Sequence, residues 1–280
     1  MSNFLMKPKI DFAFKEIMND EKARTGFLSA VLKLDPADIK STRILNPYLR
    51  QIHADDKLGI LDVRILMNDD TEIDTEIQLS ELMVWSDRSL FYAAKMYTDQ
   101  IKPGQKYNIF KKCVSISILD FVLFEGENDF YSCFHILEDT RHFKYTDKME
   151  FHVIELPKLP TELQENSSRV ELWAKFINAE ETEEFNMIAE KDPYIKSAYD
   201  QLQIISQDEQ KRLEYEAREK AILDYNQGIY EAELRGKQYG EQRIRNTAQK
   251  LLSLGVDINI IAESTNLSIT EIEALKNDII

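Results

Sequence analysis

Lys57-Leu-Gly-Ile-Leu-Asp62-Val-Arg64-Ile-Leu66-Met67, then Asn68-Asp69-Asp70, then Thr71-Glu72-Ile-Asp74-Thr-Glu76-Ile-Gln78-Leu79 alternates polar and apolar residues on both sides of three turn formers. Alternation at period two, interrupted by Asn and Asp, predicts a β-hairpin centred on Asp69. In a symmetric antiparallel hairpin with that centre, opposed residues have numbers that sum to 138, so Asp62 faces Glu76 and Arg64 faces Asp74. Gln78 follows Glu76 on the same polar face, and Leu61, Val63, Ile65, Ile73 and Ile77 are expected on the other face, against a core.

Opposed Cβ atoms lie roughly 4.5–5.5 Å apart, where like charges repel. Asp62 opposite Glu76 therefore needs a cation or full solvation. Mg²⁺ takes one or two carboxylates together with carbonyl, water and phosphate oxygens; a solvated acidic hairpin face is the other reading of the same spacing. Gln78 offers an amide that orients a water or a phosphate but brings no positive charge.

Outward from the hairpin, the chain changes texture twice. Residues 7 to about 36 carry Phe12, Phe14, Ile17, Phe27, Leu28, Val31 and Leu32 at three-to-four spacing and close at Asp35-Pro36, which predicts a helix lying on a sheet. Strands are expected near 43–52, 58–67, 71–79, 112–123, 130–137 and 149–156, with a helix over about 82–102 that stops at Pro103-Gly104. After Pro157 and Pro160 the pattern is helical and charged to the end, with a polar stretch over about 207–250. Gly255 then reads as a helix stop, and Ser268-Ile269-Thr270-Glu271 as a capping box inside a terminal two-helix unit. The expected organisation is a domain over 1–160 and an all-helical extension over 161–280 that ends in a helix-turn-helix-like unit.

Composition narrows the function. The 280 residues are 43% hydrophobic and 30% charged, enough apolar mass for a large folded domain. A formal charge of -15 gives no general attraction to DNA or to anionic membrane, so a polyanion must be bound locally. No stretch approaches the roughly 18 apolar residues of a membrane span, and the N-terminal residues lack the apolar run of a secretion signal, so no membrane partner is expected. Cys113 and Cys133 lie in apolar runs without a metal-knuckle spacing and are expected to be buried structural thiols, with a reducing cytoplasm as the simplest location. His53, His135, His142 and His152 show no ligand spacing for zinc, and no Gly-rich phosphate loop or Gly-x-Ser-x-Gly is present. Trp85 and Trp173 are expected to pack in the core rather than stack on bases.

The fragments Asp11-Phe12-Ala-Phe14-Lys15, Gly59-Ile60-Leu61-Asp62-Val63, Thr75-Glu76-Ile77-Gln78, Arg88-Ser-Leu-Phe-Tyr92-Ala-Ala-Lys95-Met-Tyr97, Gln100, Gly104-Gln-Lys-Tyr107 and Ile154-Glu155-Leu156-Pro157-Lys158, in this order, resemble the Rpn family of recombination-promoting nucleases, the PD-(D/E)XK nuclease family transposases. The resemblance covers roughly the first 160 residues. It implies a restriction-endonuclease-like α/β core, a mixed central β-sheet flanked by helices, and metal-dependent DNA cleavage with Asp62 and Glu76 as metal carboxylates. Leu61 stands at the proline of the superfamily name, and Gln78 at its lysine.

The expected function is a divalent-metal-dependent DNA endonuclease that hydrolyses phosphodiester bonds in recombination, transposition or defence. Asp62, Glu76 and the Ile77 carbonyl are expected to hold Mg²⁺ or Mn²⁺, and Gln78 to place the attacking water. Arg88, Tyr92 and Lys95 recur on one side of the 82–102 helix and offer a phosphate-facing edge or, equally, a solvated face. Asp11 and Lys15 are one turn apart as accessory residues near the site, Asp11 reading more simply as a helix cap, while Glu16 is expected at the surface. The last helix is mainly acidic, which favours protein contact over DNA reading, and homo-oligomerisation through the C-terminal helical region is expected. The alternative is a catalytically weak nuclease fold retained for interaction and oligomerisation.

Overall fold

The computed structural model describes residues 4–49, 61–80 and 84–277. Two helices open the chain, α1 (Asp11–Met18) and α2 (Glu21–Leu32), where a single helix is expected from the apolar spacing. The Asp20 carboxylate accepts the Ala23 N–H at 2.7 Å and starts a new helix there, because an N-cap satisfies an amide that a continuing helix would not leave free. Lys33, in the left-handed region, ends α2.

The sheet has six strands: β1 (Thr42–Ile44), β2 (Val63–Met67), β3 (Glu72–Gln78), β4 (Cys113–Leu119), β5 (Tyr131–His135) and β6 (Met149–Glu155). Their order is β1-β2-β3-β4-β6-β5. β3, β4 and β6 run parallel, while β1, β2 and β5 join antiparallel, giving the mixed sheet. Helix α3 (Trp85–Thr98) precedes β4. The far end of the expected 43–52 strand, the first residues of the hairpin's leading arm and His53 lie outside the described residues.

Three further helices, α4 (Arg169–Asn178), α5 (Thr182–Ala189) and α6 (Pro193–Gln207), belong to the same compact unit, which runs from Met1 to Glu219. The boundary expected at 160 therefore falls inside a packed body. Trp173 of α4 meets Phe27 of α2 edge-on at 5.7 Å, and the buried Arg24 guanidinium ties α2 to β1 through the Thr42 hydroxyl and carbonyl. Pro157 and Pro160 look like a linker in sequence, but Pro157 sits in a 3₁₀ turn that leads straight into this packing.

Gly26 carries the closest approach. A Cβ built there meets Tyr194 Cβ at 2.1 Å and the Trp173 ring at 3.1 Å, so α2 and α6 touch where only a hydrogen fits. Gly26→Ala is expected to cost about 1–3 kcal/mol, read as a lower urea midpoint for the full chain, because overpacking forces backbone apart. An unchanged midpoint would mean that α6 does not pack on α2.

The second compact unit is Lys220–Ile280. Helix α7 (Glu209–Ser253) supplies its first residues, and every side chain from Leu223 to Thr247 is exposed. Gly255 in the left-handed region closes α7, with Val256 N–H bonded to Leu251 O and Gly255 N–H to Leu252 O. Helices α8 (Ile258–Thr265) and α9 (Ile269–Asn277) follow, and Ala248, Ile261, Ile272 and Leu275 form their shared core. The Ser268–Glu271 capping box is formed in both directions. No helix among the described residues is long and apolar enough to cross a membrane.

Candidate active site

The hairpin adopts the register expected from the sequence: Val63 pairs with Thr75, Arg64 with Asp74, Ile65 with Ile73 and Leu66 with Glu72. Asp69 accepts the Thr71 N–H at 2.9 Å, and Asp70 takes a left-handed φ of 64° to complete the turn. One step beyond the paired residues, Asp62 Oδ2 accepts the Ile77 N–H at 3.2 Å, which brings Asp62 beside Glu76. Val63, Ile65, Ile73 and Ile77 are buried on the opposite face. Leu61 departs from that set, packing with Leu49, Tyr92, Met96 and Cys113 on the α3 side, since it precedes the regular strand.

The polar face is far from solvated. Asp74 is 2% exposed and Glu76 4% exposed. Arg64 does not pair with Asp74, as direct opposition suggests, but forks diagonally onto Glu72. That leaves Asp74 Oδ1 and Glu76 Oε1 buried without a hydrogen-bond partner among the described residues. Arg88 of α3 leans over the pair, its Nε 3.7 Å from Glu76 Oε2 and its guanidinium 5.0 Å from the buried Tyr92 ring.

A second cation comes from α7. Arg218 grips Asp11 of α1, with Nε 2.8 Å from both carboxylate oxygens. Asp11 is not a helix cap: the cap position is Ile10, and the Asp11 carboxylate turns toward Arg218. Both groups act on Asp62 electrostatically.

Burial and crowding set the protonation. Burial first and Asp11 second push the Asp62 carboxyl up to about 6, against the Ile77 amide, Arg218 and Arg88. Burial and Asp62 push Glu76 up to about 7, with Arg88 opposing. Asp74 lies well above the ordinary carboxylate range because it is fully desolvated and beside both Glu76 and Asp62. Two buried carboxyls with unpartnered oxygens and the half-buried Asp62 thus face only the two nearby arginines Arg88 and Arg218 among the described residues, and Arg218 is already engaged by Asp11. An all-oxygen donor set short of positive charge fits a hard divalent cation, and among the described residues no nitrogen or sulfur donor competes within it.

The remaining expected residues separate. Gln78 Nε2 donates to the Ser80 carbonyl at 3.0 Å. The Lys95 ammonium rests over the Phe91 ring at 5.9 Å, and Lys15 is exposed on α1. Glu16 forms an ion pair with Lys211 of α7. Lys111 pairs with Asp70, and Lys112 pairs with Glu150 on the opposite face of the sheet, so the cations beside the carboxylates are Arg88 and Arg218 rather than a set drawn from the central strands. Asp74 carried a sequence signal, its place between Asp62 and Glu76 on the polar face. Arg218 carried none: it is one arginine in a charged helix.

A family model for PD-(D/E)XK nuclease family transposases matches residues 8–232. The chain belongs to this family. No curated protein and no solved structure matches it. Membership in the PD-(D/E)XK nuclease family transposases supports a function of the nuclease and transposase type, and nucleases of this kind generally use divalent metals. The matched span runs past 160 into α7, as the packing of α4 to α6 requires, and includes Arg218.

Proposed function

We propose that the chain is a divalent-metal-dependent DNA endonuclease of the Rpn type that hydrolyses phosphodiester bonds in recombination, transposition or defence, in a reducing cytoplasm. The observation that carries the reading is the clustering of the half-buried Asp62 with the buried Asp74 and Glu76, two of whose oxygens are unpartnered.

Asp62, Glu76 and the Ile77 carbonyl are the proposed Mg²⁺ or Mn²⁺ ligands, with Asp74 behind them. Held there, such an ion would supply Lewis acidity for a phosphoryl oxygen and for the attacking water. Arg88, braced on Tyr92, neutralises a DNA phosphate on the α3 side, and Lys95 extends that edge. Gln78, its amide nitrogen anchored on Ser80, presents its carbonyl oxygen as an acceptor for the nucleophile's proton side. Arg218 holds Asp11 beside Asp62 and keeps that carboxylate from adding an unpaired charge.

Plasmid nicking by the full chain at low salt tests the reading. Cleavage is expected with Mg²⁺ or Mn²⁺ and is expected to stop on chelation. Absence of cleavage under every metal, on supercoiled and on single-stranded DNA, would leave a nuclease fold that serves interaction only.

Homo-oligomerisation is the second part of the proposal. Leu223, Tyr230 and Leu234 stand exposed at i, i+7 and i+11 along one side of α7, apolar surface that a long polar helix buries against a second copy. The molar mass from light scattering is expected to be a multiple of 32.8 kDa and to fall to 32.8 kDa when Leu223 and Leu234 are both changed to glutamate.

A further inference from the structure

On the opposite face of the sheet from the carboxylates, β5 and β6 bring together four side chains of a different chemistry. Cys133 and His135 alternate along β5, Glu150 and His152 along β6, and the register sets Cys133 opposite His152 and His135 opposite Glu150. One ligand atom from each of Cys133, Glu150 and His152 lies within 4.8 Å of the other two. His152 Nε2 is 2.7 Å from Glu150 Oε1, and Cys133 Sγ is 3.9 Å from the same oxygen. His135 reaches in from the next register position, Nδ1 3.9 Å from Cys133 Sγ and Nε2 3.3 Å from Glu150 Oε2.

The buried histidine is held in the orientation of a ligand. His152 is 2% exposed, and its Nδ1 lies 2.9 Å from the Tyr131 hydroxyl. That hydroxyl spends its proton on the Val31 carbonyl at 3.0 Å, so toward His152 it accepts, and Nδ1 carries the hydrogen. On the other side of the ring Nε2 donates to Glu150 Oε1, and it is this hydrogen that a metal ion would replace. An outer hydrogen bond of this kind is how metal-binding imidazoles are oriented.

We propose that Cys133, Glu150 and His152, with His135 in the fourth position, bind Zn²⁺ as a structural ion that fastens the edge strand β5 to β6. Tetrahedral zinc with sulfur at ~2.3 Å and nitrogen or oxygen at ~2.0 Å sets its ligand atoms ~3.3–3.6 Å apart. The Glu150–His152 separation lies below that range, Cys133–Glu150 above it and Cys133–His152 within 4.8 Å, so these three close on an ion by side-chain shifts on the order of 1 Å, with His135 turning one of its two nitrogens inward. Thiolate and carboxylate together match the charge of the ion. Lys112, which now pairs with Glu150 and is one-third exposed at its side chain, is the cation that zinc displaces into solvent.

The two faces of the sheet thus sort metals by hardness: oxygen donors alone on one, sulfur and nitrogen donors on the other. A fastened edge also has a purpose. β5 is a terminal strand carrying exposed Phe134, with Ile136, Leu137 and Phe143 exposed just beyond it, the kind of edge that recruits unwanted strands when it frays.

The experiment is Co²⁺ titration of the full, chelator-stripped chain, read by absorbance, with zinc analysis of the protein as purified. Expected are a thiolate-to-cobalt charge-transfer band, tetrahedral ligand-field bands in the visible, their bleaching by Zn²⁺, and stoichiometric zinc in the isolated protein. Cys133→Ser, at an exposed position, is expected to remove the charge-transfer band with an unchanged circular dichroism spectrum. Cys113→Ser and the Asp62→Asn variant are expected to keep it. Tyr131→Phe should weaken Co²⁺ binding about 10–100-fold while retaining the band, as loss of an outer-shell partner does. No charge-transfer band, or one that survives Cys133→Ser, overturns the proposal and leaves the cluster as a His152–Glu150–Lys112 ion-pair network.

Discussion

Asp62→Asn is expected to lower plasmid nicking on the order of 10³-fold, since several kcal/mol of metal-derived stabilisation are lost and each 1.36 kcal/mol is a factor of ten. In the same variant the melting temperature of the metal-free protein is expected to rise. The neutral amide keeps an oxygen for the Ile77 N–H but removes a charge whose burial holds the carboxyl at about 6 rather than 3.8. At pH 7.5 that relief is on the order of 3 kcal/mol, roughly 5–10 °C for a unit of this size. Glu76→Gln should behave alike in both assays. Opposite signs in activity and stability separate a functional carboxylate from a structural one. A variant that loses cleavage and melts lower would show that Asp62 supports the fold instead.

The metal-free protein is expected to lose stability as pH rises from about 4 to 7.5. Asp62 and Glu76 have folded-state values of about 6 and about 7, above the unfolded 3.8 and 4.5, and Asp74 shifts the same way. The folded chain therefore binds more protons than the unfolded one through that window, so the stabilisation is complete below the unfolded values and is lost through the folded ones. Glu150 works in the opposite sense: burial raises it, but bonds from His152 and Lys112 outweigh burial and hold it below 4.5, so its contribution disappears only in stronger acid. Melting followed at pH 5.0 and pH 7.5 is expected to differ by roughly 5 °C or more in favour of pH 5.0, and millimolar Mn²⁺ should recover the loss at pH 7.5. The Asp62→Asn/Glu76→Gln double variant should flatten the profile. An equally steep profile in the double variant would place the titrating groups elsewhere.

The hairpin was legible because its information is local. Side-chain alternation sets the faces and Asn68-Asp69-Asp70 sets the centre, so the register follows without knowledge of the rest of the chain. The partner of Arg64 was not legible, because opposition along the strand places Asp74 against it while the arginine's reach favours the diagonal Glu72. That choice strips Asp74 of its counter-ion and turns it into a member of the carboxyl cluster. Arg218 and the Tyr131–His152 pair depend on contacts across 207 and 21 positions, and no periodicity reports such contacts. Cys133, expected to be buried, is exposed because β5 is the last strand of the sheet, a position its apolar sequence does not disclose. The Cys133-x-His135 and Glu150-x-His152 alternations were visible signals, but only the pairing of their strands makes them one cluster.

The ties between the beginning of the chain and residues 200 or more positions later bear on how a member of this family is assembled. Met6 donates to Ser206, Lys7 to Tyr215, and Asp11 waits for Arg218. At about 5–20 residues per second, α1 remains without these partners for roughly 10–40 s of synthesis. Joining ends separated by about 200 residues costs on the order of 5 kcal/mol of chain entropy, so the pocket assembles last. A message broken before the α7 codons then yields a polypeptide in which Asp11 lacks Arg218 and the Lys7 amide lacks Tyr215, so the carboxyl cluster is left without one of its two nearby arginines.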